Sequence, residues 1–84
     1  MDSIENKVRQ IISQVTGLDP GVSGDANLYL DLGVASVHAL QILAELEDQF
    51  GISVPDEEFV EATSIAQLAS VIRSLVPAEE SARA

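Results

Sequence analysis

Apolar residues recur at three- and four-residue steps in three stretches of the chain, the period of a helix with one buried stripe. In the first stretch, Ile4, Val8, Ile11, Ile12 and Val15 predict a helix over Met1 to Thr16. Asp2 or Ser3 can cap its start, Glu5 lies in its first turn and Gly17 suits its end. The second stretch, Ser36 to Phe50, is bounded by Gly33 and Gly51. At about 100° per residue, Ala39, Leu40, Ile42, Leu43, Leu46 and Phe50 fall on one broad inward side. His38, Gln41, Glu45, Asp48 and Gln49 take the other side, with Val37 and Ala44 at its edge as small apolar groups among carboxylates. Glu47 interrupts the apolar stripe, and the pattern offers no reason for it. The third stretch, Ser64 to Val76, turns Ile65, Leu68, Ala69, Val71, Ile72 and Leu75 inward. Thr63 or Ser64 caps it, Ser64 and Gln67 have capping-box spacing, and Pro77 ends it.

Between the first two helices runs a long connection, Leu18 to Ala35, with Asp19-Pro20-Gly21 and Ser23-Gly24-Asp25 as turn chemistry. A loop of that length must pack against the domain, and Leu28, Leu30 and Leu32 are the residues expected to cover the bundle. Ile52-Ser53-Val54 reads as an extended connector closed by Pro55, and Asp56 to Glu61 as one short acidic helix. No segment of useful length has a strand period, and none repeats. The expectation is an all-α fold: a small four-helix bundle with three main helices, one short helix and a long first loop. One domain would occupy residues 1–77, with 78–84 as a frayed tail.

Eighty-four residues leave room for one domain with a thin core, stabilised by helix packing. The absence of cysteine excludes disulfides, thiolate metal sites and a thiol nucleophile from the chain itself. With His38 the one histidine, a structural zinc site or a histidine-based catalytic cluster is not expected. The formal charge is −10, and its distribution matters more than its total. Between Gln10 and Ile72 there are ten acids and no Lys or Arg. That sign disfavours nucleic acid and anionic membrane surfaces and favours basic patches on protein partners. No apolar run approaches a membrane span and the N-terminus lacks a signal pattern, so the cytoplasm is the expected compartment. A small, highly charged surface favours a monomer.

Ser36 stands out by position. It follows Asp31-Leu32-Gly33-Val34-Ala35 and opens the long acidic helix. A helix N-terminus presents unpaired N–H groups and the positive end of the macrodipole, so a phosphodiester on that hydroxyl would sit in a favourable field. Serine is also among the best N-cap residues, and on position alone the cap is the commoner explanation. The two readings are compatible, because a modified serine can still begin a helix.

The run from Asp31 through Ser36 to Glu58 resembles the central segment of acyl carrier proteins. The resemblance rests on Leu32-Gly33-x-x-Ser36, then Leu46-Glu47-Asp48-Gln49-Phe50-Gly51-Ile52, then Val54-Pro55-Asp56-Glu57. It continues through Ala62-Thr63-Ser64-Ile65 into the last helix and covers nearly all of the chain. It implies 4′-phosphopantetheine joined to Ser36, an acyl group carried as a thioester on its terminal thiol, and no catalytic activity of the chain's own. It also implies a face that meets phosphopantetheinyl transferase and the ligases, synthases or transferases that use the carrier. Val37, His38, Gln41, Ala44 and Glu45 would belong to that face, with Glu47, Asp48, Asp56 and Glu57 extending it. In the family, residues at the positions of Leu40, Leu46, Val54, Phe59, Ile65 and Leu68 part slightly to shelter an acyl chain; otherwise they are simply core.

Where the family usually has Asp-Ser-Leu, this chain has Ala35-Ser36-Val37, and His38 and Gln41 stand at two further positions that are often acidic. The first half of the helix is thus nearly uncharged, which points to a specialised carrier with a restricted partner set. The expected function is that of a free-standing acyl carrier protein in fatty-acid, polyketide or related synthesis. An aminoacyl or peptidyl carrier with the same arm is the nearest rival, and an unmodified acidic interaction module is a rival of another class. A Ser36–His38 catalytic pair is geometrically poor, since residues two apart on a helix point about 200° away from each other. Asp56-Glu57-Glu58 with Glu61 lacks the spacing of a calcium loop and reads as an acidic docking face.

Overall fold

Each predicted helix forms. The computed structural model describes residues 3–76, in which α1 (Ser3–Thr16), α2 (Ser36–Phe50), α3 (Asp56–Glu61) and α4 (Ile65–Leu75) follow in order. No strand occurs among the described residues. Asp2 and the expected tail, 78–84, lie outside them.

α1 packs against both α2 and α4, and α3 packs against α4. The shared core joins Val8, Ile11 and Ile12 of α1 to Ile42 and Leu46 of α2 and to Ile65, Leu68 and Ile72 of α4. Side chains of this size contribute about 1.5–3 kcal/mol each when fully buried. That is how a chain this short sustains a fold without a disulfide.

The helix ends follow their local chemistry. Gly51 sits at φ +64° and closes α2, donating its N–H to the Glu47 carbonyl. At α4 the cap is Ser64, whose Oγ accepts from the Gln67 N–H at 3.2 Å. The expected capping box is displaced by one residue. The Gln67 side-chain oxygen turns to Thr63 and accepts from its N–H at 2.9 Å and its hydroxyl at 3.2 Å.

The long loop is held at both ends of its course. Arg9 of α1 donates to the carbonyls of Pro20 and Val22 and pairs with Glu5 at 3.2 Å. Farther along, Gly24 gives its carbonyl to the Ala66 N–H, an orphan donor in the first turn of α4, at 3.0 Å. Of the three leucines expected to cover the bundle, Leu28 is fully buried and Leu32 half-buried, but Leu30 is 85% exposed. The backbone explains this correction. Asn27 accepts through its side chain from the N–H groups of Tyr29 and Leu30, and through its carbonyl from those of Asp31 and Leu32. The segment coils, so residues four apart share a side and the residue midway between them faces out.

The interruption at Glu47 also has a structural cause. Its carboxylate accepts from the Val54 N–H at 2.9 Å, and its carbonyl takes the N–H groups of Gly51 and Ile52. The connector after α2 has no strand partner, and this half-buried glutamate satisfies its backbone.

Candidate functional site

The start of α2 is positioned by the loop before it. Leu28 donates its N–H to the Thr63 carbonyl at 2.8 Å and accepts the Val34 N–H at 2.9 Å. One buried residue thus ties the approach to α2 and the approach to α4 together. Gly33 turns the chain at φ +72°, a conformation costly for any other residue, although nothing lies within 4 Å of where a Cβ would stand. Val34 is buried, and the chain then emerges.

Ala35, extended at φ −80° and ψ 153°, is the N-cap of α2, and no side chain caps the helix. Its carbonyl accepts from both His38 and Ala39. Ser36 is therefore the first helical residue, and the expectation that it serves as the cap is corrected. The cap position falls one residue earlier, on a side chain with nothing to give. Ser36 is exposed, and its hydroxyl has no hydrogen-bond partner among the described residues.

Around it, α2 presents a sharply zoned surface. Val37 is 62% exposed, and Gln41, Ala44, Glu45 and Asp48 are exposed with it on the side away from the core. Leu40 is 68% exposed, which corrects its placement on the inward stripe. It stands about 100° round the helix from Ala39, the centre of the buried side. His38 is half-buried on the opposite border, and Glu47 spends its carboxylate on Val54. Asp56 and Glu57 are exposed in the first turn of α3.

Leu46, Val54, Phe59, Ile65 and Leu68 are all buried in the common core. A shallow depression of about 340 Å³ lies elsewhere, between α3 and α4, lined by Glu58, Glu61, Ala62, Gln67, Ser70 and Val71. Nothing in the periodicity marked it, because it exists only through the packing of one helix on another. Burial raises the Tyr29 phenol above its ordinary range. Among the described residues no three histidine or carboxylate groups converge to hold a metal ion. No described helix is long and apolar enough to cross a membrane.

The arrangement fits a group esterified to serine: an accessible, unengaged hydroxyl beside the unpaired N–H groups of a helix start. The chain matches a solved structure from Mycobacterium tuberculosis, described as an acyl carrier protein, with a TM-score of 0.79 over 86% of this chain and 97% of that one. At 22% identity this shows a shared fold. The family model described as the phosphopantetheine attachment site matches residues 6–72. That match reaches from α1 through the loop, the exposed serine and α3 into α4. The chain belongs to the phosphopantetheine attachment-site family, whose domains bear covalent 4′-phosphopantetheine and act as carriers, not catalysts.

Proposed function

We propose that Ser36 is the attachment residue and that the protein carries acyl groups between enzymes of fatty-acid, polyketide or related synthesis. The observation that carries this is the exposed, unpaired hydroxyl at the head of α2 in a chain without cysteine. When bound, the arm supplies the thiol on which an acyl group rides as a thioester, and its flexibility makes delivery effectively intramolecular once a partner has docked.

The chain's own contribution is docking and release. Val37, Leu40 and Ala44 offer an apolar strip beside Ser36, while Glu45, Asp48, Asp56 and Glu57 offer carboxylates farther from it. A partner suited to this surface has a small apolar recess near its active-site entrance and basic side chains beyond. Such contacts associate quickly and part readily, as a shuttle requires.

Incubation with coenzyme A and a broad-specificity phosphopantetheinyl transferase, followed by intact-mass measurement, tests the attachment. One prosthetic-group increment is expected, and Ser36→Ala should abolish it. No increment with any transferase would leave an unmodified interaction module instead. Loading the modified protein then separates acyl cargo from aminoacyl cargo: transfer by an acyl ligase or acyltransferase supports the present reading, and transfer by an aminoacyl-activating enzyme alone overturns it.

A further inference from the structure

Each of the other three helices has a source of negative charge or a side-chain acceptor at its start. α1 has Glu5 in its first turn, α3 has Asp56, Glu57 and Glu58, and α4 has the Ser64 hydroxyl. α2 has neither, although it is the longest of the four. The N–H groups of Ser36 and Val37 find no acceptor among the described residues, and that of His38 is served by a tight bond back to Ala35. Independently, the family match specifies that a phosphate-bearing group is joined to this domain.

We propose that the phosphodiester on Ser36 completes the cap that Ala35 cannot provide, so that attachment of the arm stabilises this protein's own fold. The inference rests on Ser36 being the attachment residue. A phosphodiester carries a full negative charge and unesterified oxygens that accept hydrogen bonds, which is the chemistry an open helix N-terminus lacks. The arm's anchor is then also oriented by the helix: bonds from the first-turn N–H groups restrict the phosphate, while the rest of the arm stays free to swing. The first turn of α2, which forms from Ser36 without a side-chain cap, is then held more firmly in the modified chain than in the unmodified one.

Four species decide it: the unmodified and modified forms of the natural chain and of Ala35→Asp, each verified by intact mass. The modified natural chain is expected to melt roughly 4–8 °C above the unmodified one, the shift one good N-cap brings to a domain of this size. Ala35→Asp should raise the unmodified form by a similar amount and shrink the gain on modification, because both groups serve the same donors. Amide exchange in the natural chain should slow most at Ser36, Val37 and His38 on modification. A verified increment with no change in melting, or an equal gain in both backgrounds, overturns the cap while leaving the attachment intact. An absent increment overturns the attachment and the cap with it.

Discussion

At the scale of single residues, two side chains on one flank of α2 show how far position can mislead. Glu47 and Leu40 both lie toward the edge of the buried stripe, and their chemistry argues the reverse of their fates. The carboxylate turns in to hold the Val54 N–H, and the leucine stays 68% exposed. Glu47→Ala should therefore cost about 1–2 kcal/mol in urea unfolding, because it orphans a backbone donor. Leu40→Ser should cost under about 0.5 kcal/mol, as at other exposed positions, while weakening partner docking. The sequence marks Glu47 as an anomaly but cannot explain it, since the acceptor's purpose depends on a residue seven positions on in a segment without regular structure. Ser36 was legible as a special position. That Ala35 rather than Ser36 occupies the cap depends on the backbone angles at one junction.

At the scale of elements, the helices were legible to within a residue or two because their signals are local: periodic apolar positions, Gly51 in the left-handed region, Ser64 as a cap. The loop was legible only in part. Its turn residues announced it, but Arg9, Leu28 and Gly24 do the holding, through contacts with three different helices or their flanks. Leu28 is the critical one. Leu28→Ala should destabilise the fold by about 2–5 kcal/mol. It should also speed amide exchange from Val34 to His38 more than within α1, because Leu28 is what fixes the entry to α2. Equal acceleration in both places would show that it serves the core alone.

At the scale of the whole molecule, the field dominates. Ten acids and no Lys or Arg between Gln10 and Ile72 make the helical surface a target for cationic partners. The on-rate for a phosphopantetheinyl transferase should fall roughly tenfold or more from low to high ionic strength in stopped-flow measurement, with the off-rate little changed. Glu45→Gln with Asp48→Asn should flatten that dependence. The uncharged stretch beside Ser36 limits how close the steering charges come to the reacting hydroxyl, so their effect falls on encounter and not on the final fit.

The amino-acid order by itself determined four helices, a long connecting loop, an acidic centre and a serine at the head of the second helix. These follow from periodicity, turn chemistry and charge, which act over a few neighbouring residues. Tertiary structure alone decided that Leu30 and Leu40 face outward, that Glu47 has a buried partner, that α3 and α4 leave a depression between them, and that α2 begins without a side-chain cap. The exposure of Leu40 and the depression depend on which elements are packed together, whereas the Asn27 bonds that turn Leu30 out, the Glu47–Val54 bond and the uncapped Ala35 junction depend on backbone geometry that apolar periodicity does not encode.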